Sequence, residues 1–286
     1  MLNKLRSYIP GKWGEVKPVV PVVRLNGVIG AGSPLKPGLS LSSVEDALET
    51  AFSFKEAPAI ALSVNSPGGS PVQSNLIFKR IRQLADENNK QVLVFVEDVA
   101  ASGGYMIALA GDDIIVDQAS VVGSIGVVSA GFGFTELLQK AGVERRVYTS
   151  GDKKVTLDPF SPEIKEDVEH LKTLQHEIHE MFIDMVKRRR GDVLGDEKEL
   201  FSGLFWTGAK ARDLGLVDSI GDLHSTIRER FGKETKIKVI GAKKRFLGRF
   251  IPGASLQGNL TEAAGSLPAA TLATLEEKSL WAKFGL

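Results

Sequence analysis

Four short runs of almost unbroken apolar residues constrain this chain more than any other feature. They are "VVPVVRL" at Val19–Leu25, "AIALSVN" at Ala59–Asn65, "QVLVFVE" at Gln91–Glu97 and "DDIIVD" at Asp112–Asp117. A strand with one wetted face alternates apolar and polar residues, whereas a run that is apolar throughout is covered on both faces. Segments with helical spacing separate the runs. Ser42–Phe54 has its apolar residues at helical intervals behind a serine cap, and Pro71–Asn88 carries Leu76, Ile77, Ile81 and Leu84 as an inward stripe. Strands and helices in alternation predict an α/β fold, a mostly parallel sheet covered by helices.

The rest of the body follows the same grammar. A short helix is expected after Ser102, another in "FTELLQKAG", and an extended stretch in "VERRVYTS". One long helix should run from about Ser161 to Arg190. Ser161 can cap it, Pro162 suits its first turn, three arginines oppose the dipole at its end, and Gly191 stops it. A helical piece reaching Phe231 and a strand at Ile237–Ile240 complete the body. The chain thus divides into an N-terminal extension (1–18), a body (19–240) and a tail (241–286). The tail mixes Gly, Ala, Ser and Thr with scattered apolar residues, a composition suited to packing on a neighbouring subunit.

Composition removes several chemistries. There is no cysteine, so thiol catalysis, disulfides and Cys-ligated metals are excluded. Lys and Arg number 36 against 35 Asp and Glu, which gives no global attraction to nucleic acid. No window approaches the roughly 20 apolar residues of a membrane span, and the N-terminus lacks the apolar core of a signal peptide. A cytoplasmic chain is expected. "MLNKLRSYIPGKW" and "KKRFLGRFI" (Lys243–Ile251) mix cations with apolar residues, as segments peripheral to an anionic inner membrane do. Ordinary terminal packing is the preferred account of both segments. His170, His176 and His179 fall in the long helix, where a surface position explains them, and His224 stands apart. His176 and His179 have no third ligand in any recognisable pattern, so no metal is expected. No phosphate-binding loop is visible and no cofactor is implied.

The chemistry gathers at two glycine-bounded loops, each following an apolar run. In "VEDVAASGGYM", Ser102 precedes Gly103 and Gly104 at what reads as a helix start, where bare N–H groups and the helix dipole favour developing negative charge. In "VNSPGGSPV", Gly68 and Gly69 could supply a second such donor. Taken singly, the first is a cap before a turn and the second an Asn-Ser-Pro-Gly turn. Together they sit where ligands gather, at the carboxyl ends of parallel strands. A serine nucleophile also needs a base. No histidine is near Ser102 in sequence, and a lysine serves if burial makes its amine neutral. Spacing alone selects none of the many lysines.

"VNSPGGS", "VAASGGYMIALAGDDIIVD", "VVGSIGV", "GDKKVTLDPFSP" and "WTGAKARDLGLVDSIG" occur in one order, and together they resemble the signal peptide peptidase A family, the protease IV and SohB group of serine peptidases. The resemblance runs from about Val19 to Ile240 and fits the short, single-domain type. It implies a Clp protease/crotonase-like fold and a Ser-Lys dyad. By that resemblance Ser102 is the nucleophile. Lys154, the lysine ahead of the acidic-Pro-Phe stretch, is the base, with Lys153 the competing choice. Ser124 of "VVGSIGV" holds the lysine, and the N–H groups of Gly69 and Gly103 form the oxyanion hole. The resemblance further implies a ring-like homo-oligomer whose dyad is shared between neighbouring subunits. The implied substrate is an unfolded or membrane-derived apolar peptide, such as a signal peptide remnant.

The chain departs from the family in three places. It shows no membrane anchor, it has about half the length of the tandem-domain members, and "FSGLF" stands where the family often has Gly-Arg, which reads as a peripheral change. Two other functions remain open. Glu97 and Asp98 near the loop would suit a crotonase-like acyl-coenzyme A hydratase or isomerase. A catalytically silent ring scaffold is the other, although it would have no need of Ser102, Lys154 and Ser124 together.

Overall fold

The computed structural model describes residues 17–30, 38–196, 198–241, 275 and 278–286. Both basic-apolar segments, the first 16 residues and most of the tail lie outside the described residues.

Three long parallel strands form the centre: β1 (Val19–Asn26), β2 (Ile60–Ser66) and β3 (Val92–Ala101). Four short strands and one at the edge extend them: β4 (Asp113–Val116), β5 (Val121–Gly123), β6 (Phe205–Thr207), β7 (Ser219–Ile220) and β8 (Lys236–Ile240). The main order is β6-β5-β3-β2-β1-β8, with β4 beside the first half of β3 and β7 beside β4. Every pairing is parallel except β5 with β6. The expected mostly parallel sheet is therefore the one observed.

The apolar runs are continuous because both faces of the sheet are buried. On one face Val23, Leu25, Ile60, Leu62, Val64, Val92, Val94 and Val96 join a large core. The alternate residues Val20, Val22, Ala61, Leu93 and Phe95 point into a smaller one. Helices α1 (Leu41–Phe52), α2 (Pro71–Asn88) and α3 (Gly103–Ala108) pack in the large core, and α7 (Leu223–Phe231) closes the smaller one through Ile227. Helices α4 (Thr135–Ala141), α5 (Lys165–Arg190) and α6 (Gly208–Asp213) complete the set. On α2 the buried stripe is Ser74, Ile77, Ile81, Leu84 and Ala85. Leu76 is 40% exposed, because it lies about 100° round the helix from Ile77 and so falls on the flank.

The long helix starts later than its sequence suggests. α5 begins at Lys165 with Ile164 as N-cap, and the Ser161 hydroxyl instead donates to Asp158 at 2.8 Å. The last two arginines of α5 also do more than oppose a dipole. Arg189 donates to the Leu109 and Gly111 carbonyls, at 2.8 and 2.7 Å. Arg190, 8% exposed, donates to the Gly215 carbonyl and makes a forked pair with Asp218 at 2.9 and 3.0 Å. Asp218 in turn accepts from the Ile114 N–H. Beside this cluster the fully buried Tyr105 hydroxyl donates to the Leu216 carbonyl at 2.7 Å, and burial above all pushes its phenol well above the usual range. The "ASGGY" and "GLVD" motifs are thus joined through one polar network behind the Ser102 loop.

Replacing Arg190 with leucine leaves the Gly215 carbonyl without its side-chain donor and the Asp218 carboxylate with the Ile114 N–H but no counter-charge. Asp218 keeps some solvent contact, so the cost falls below that of a fully buried ion pair. We expect a loss of about 2–4 kcal/mol, read as a lower urea midpoint at unchanged slope.

Candidate active site

Ser102 sits in the sharp turn between β3 and α3. Its backbone is at φ 52°, ψ −122°, a conformation that costs a non-glycine residue about 1–3 kcal/mol unless the surroundings enforce it. They do so from both sides. The Ser102 N–H donates to the Gly123 carbonyl at 2.8 Å, and its own carbonyl accepts from the Tyr105 and Met106 N–H groups. This is how a strand-to-helix elbow lifts a serine hydroxyl clear of the backbone. The "NSPGGS" loop closes against it. Gly68, at φ +106°, lies so near that an added Cβ would stand 2.8 Å from Ser102 Cβ.

Ser124 leaves the sheet beside Ser102, because β3 and β5 pair with Ala101 opposite Gly123. It too has positive φ, 53°, it is buried, and its N–H donates to the Leu204 carbonyl at 2.7 Å. Ser102, Ser124 and Gly69 line one cleft of about 590 Å³, within the roughly 300–1,000 Å³ typical of ligand sites. Gly103, buried directly after Ser102, opens α3, so its N–H has no acceptor inside the helix. Of the residues expected from sequence, the structure brings together Ser102, Ser124, Gly69 and Gly103.

Lys154 is not brought to them. It is exposed, sits on the extension between β5 and α5, and does not line the cleft. The neighbouring Lys153 has a structural partner, an ion pair at 3.5 Å with Asp167 of α5, whose carboxylate is almost wholly covered. The "LDPFSP" stretch builds the base of the extension. Partial desolvation pushes the Asp158 carboxyl up, but the Ser161 hydroxyl, the Phe160 N–H and Arg145 together hold it below the usual range. Phe160 stacks on Phe134 at 5.5 Å between centroids and lies under the Arg145 guanidinium, while the Phe134 N–H donates to the Pro159 carbonyl. The acidic-Pro-Phe motif therefore fixes the loop carrying Lys154 rather than touching the cleft.

Two cleft features escape the sequence reading. "FSGLF" is not peripheral: Ser202 and Gly203 line the cleft, and Leu204 supplies the carbonyl that holds Ser124. His179, placed above on a surface helix, is half-buried, lines the cleft and lies with Nε2 3.1 Å from the Ile125 carbonyl, to which it donates. It thus braces the backbone next to Ser124. Glu97 and Asp98 belong elsewhere. They line a second cavity, where Glu97 accepts from the Ser63 hydroxyl and Asp98 from the Asn65 amide.

The family model of peptidase family S49 matches residues 85–237. A protein of Brucella abortus named Na(+)/H(+) antiporter NhaA is 57% identical over 286 residues, covering 99% of this chain and 39% of that protein. The chloroplastic serine protease SPPA of Arabidopsis thaliana is 32% identical over 216 residues, covering 73% of this chain and 31% of that one. The chain thus spans well under half the length of either relative. Among solved structures, a mutant of the 1510-N membrane-bound stomatin-specific protease superposes with a TM-score of 0.50 at 15% identity, covering 79% of this chain and 99% of that one. At that identity the likeness speaks for the fold.

Proposed function

The chain belongs to peptidase family S49, and on that footing we propose that it is a serine endopeptidase working through a Ser102–Lys154 dyad. The observation that carries the reading is Ser102 itself, on a strained elbow at a strand end, in a cleft shared with Ser124 and Gly69. Ser102 Oγ attacks the peptide carbonyl carbon as the Lys154 amine takes its proton. The Gly69 and Gly103 N–H groups hold the oxyanion, and Ser124 orients the lysine. Collapse breaks the C–N bond, Lys154 returns the proton to the leaving amine, and water then hydrolyses the acyl-enzyme.

The dyad is completed between subunits. A lysine acts as a base once burial disfavours its charge, and Lys154 is exposed in the single chain. The extension that carries it also bares Val128, Phe132 and Tyr148, at 77%, 81% and 91% exposure. Large apolar side chains so exposed to water suit burial against a second copy. A ring in which each extension delivers Lys154 to the next subunit's cleft satisfies both needs; a heterologous contact closes into such a ring when its rotation divides a full turn. Short apolar peptides suit a cleft bounded by Pro67, Pro71, Val127 and Val128.

The carboxylates that would serve an acyl-coenzyme A enzyme are engaged in the second cavity. The antiporter name belongs to a protein of which this chain aligns with 39%, and no helix among the described residues is long and apolar enough to cross a membrane. The direct test is hydrolysis of casein. The unmodified chain should cut it, and Ser102→Ala should cut at least ~10³-fold more slowly, the scale on which loss of a serine nucleophile acts. Equal cutting by both chains would overturn the assignment.

A further inference from the structure

The long helix α5 changes character at His179. Ahead of it the helix is largely exposed. Beyond it Phe182, Ile183, Met185 and Val186 are buried in the large core, and the arginines at its end are fastened to backbone carbonyls. His179 stands about one turn before this anchored half, on a rigid mount at the cleft wall. Its Nε2 meets the Ile125 carbonyl at 3.1 Å. A carbonyl oxygen only accepts, so the ring carries a proton on Nε2 and donates it there. Among the described residues no other donor reaches that carbonyl. What lies on either side gives the bond its importance. One residue back, Ser124 is held at φ 53°, a region that a non-glycine residue keeps only when its surroundings enforce it. One residue on, Gly126 begins the stretch Gly126–Val128 that walls the cleft. No strand or helix runs between Gly123 and Thr135, so this turn has no ladder to hold it. Three restraints replace one. The Ser124 N–H donates to the Leu204 carbonyl at 2.7 Å, the Ile125 side chain is wholly buried, and His179 holds the Ile125 carbonyl. Of the three, the His179 bond is the one that fixes the rotation of the peptide plane joining Ile125 to Gly126.

We propose that His179 is a positioning residue for the peptidase reaction: its Nε2–H, through the Ile125 carbonyl, sets where Ser124 presents its hydroxyl and where the wall beyond Gly126 stands. The proposal rests on the peptidase reading, in which Ser124 orients the lysine, and it adds the group that orients Ser124. His179 acts through Ser124 and not on the reacting atoms. With its proton committed to the Ile125 carbonyl, Nε2 has no lone pair with which to accept the Ser102 proton, so the ring does not replace the lysine at that atom. Loss of the donor leaves the Ile125 carbonyl free to turn. In a chain pinned at the Ser124 N–H and at the Ile125 side chain, such a turn is taken up by the neighbouring φ and ψ, which include those of Ser124. Its hydroxyl then leaves the place where it meets the lysine. A shift of about 1 Å at a positioning group is enough to slow a reaction severely.

The test compares the full-length chain with its His179→Phe and His179→Gln variants. Phenylalanine keeps a ring of similar size and removes the donor, whereas the glutamine amide offers an N–H at about the reach of Nε2. Amide hydrogen exchange, followed by mass spectrometry, reads the Ser124 N–H without reference to activity. That N–H should exchange about tenfold faster in His179→Phe and at the original rate in His179→Gln, with β2 unchanged in both. Rates on labelled casein over a range of concentrations should give a kcat about tenfold lower in His179→Phe, with KM within twofold. In His179→Gln kcat should return to within threefold of the unmodified chain. Unchanged exchange at Ser124 in His179→Phe, or faster exchange that spreads equally to β2, overturns the proposal. So does a loss of kcat that glutamine does not restore, or a raised KM at unchanged kcat. If exchange responds as expected and no chain cuts casein, the brace on Ser124 stands and the peptidase reading falls. If the unmodified chain cuts casein, Ser102→Ala does not, and exchange is indifferent to His179, the peptidase reading stands and this proposal falls.

Discussion

If the proposed ring shares its dyad, chains carrying Ser102→Ala and chains carrying Lys154→Ala, each inert alone, should regain about one quarter of the unmodified activity when co-assembled in equal amounts, because each junction would then draw its serine from one subunit and its lysine from the next. Half of the junctions receive an intact serine, and half of those an intact lysine. The expectation follows from where the lysine is. Ser102, Ser124 and Gly69 share a cleft that Lys154 does not line, and Lys154 is exposed on an extension with bare apolar residues. If one chain supplied both groups, every junction in the mixture would lack one of them, and no activity would return. Lys153→Ala supplies the counterpart. Its amine is held by Asp167, so its loss should leave most of the activity in place. Full activity in Lys154→Ala together with an inert Lys153→Ala would transfer the role of base to Lys153.

What could be read in the sequence was whatever local pattern dictates. Runs apolar throughout announce strands buried on both faces, and β1, β2 and β3 divide their side chains between two cores as that pattern requires. The elbow at Ser102 and the loop at Gly68 and Gly69 were legible for a related reason. Each lies at the carboxyl end of a parallel strand, and each needs small residues for close approach. What escaped depends on tertiary contact. Ser161 is a plausible cap by type, yet Asp158 claims its hydroxyl before the helix begins. Arg190 reads as a charge at a helix end, but folding carries it onto Gly215 and Asp218. His179 and Ser202 reach the cleft from elements distant in sequence from Ser102, and no spacing rule connects them. Lys154 could be singled out only by resemblance, since neither its spacing nor its exposed place on the extension marks it as a base.

Gly69→Ala should separate the proposed oxyanion role of this loop from its packing role. Gly69 has φ +139°, and an alanine Cβ there would stand 2.1 Å from the Ile29 carbonyl oxygen. The backbone cannot drift away freely to relieve this. The Ile29 N–H donates to the Gly68 carbonyl and the Ser70 N–H donates to the Ile29 carbonyl, both at 2.8 Å, so the loop is clamped on either side of Gly69. Relief must come from rotating the peptide units on either side of Gly69, which would turn the N–H proposed as an oxyanion donor. The stability cost should be about 1–3 kcal/mol, the usual scale for a side chain forced into such a conformation. The catalytic cost should be larger, about 10²–10³-fold in kcat with KM little changed, because an oxyanion donor acts on the transition state and not on the bound peptide. Gly131→Ala is the control: its backbone lies outside the left-handed region and nothing stands within 4 Å of an added Cβ, so both stability and turnover should hold. A Gly69→Ala chain that melts earlier yet turns over within twofold of the unmodified one would leave Gly69 as a packing glycine, and the second oxyanion donor would have to be sought elsewhere on the cleft wall.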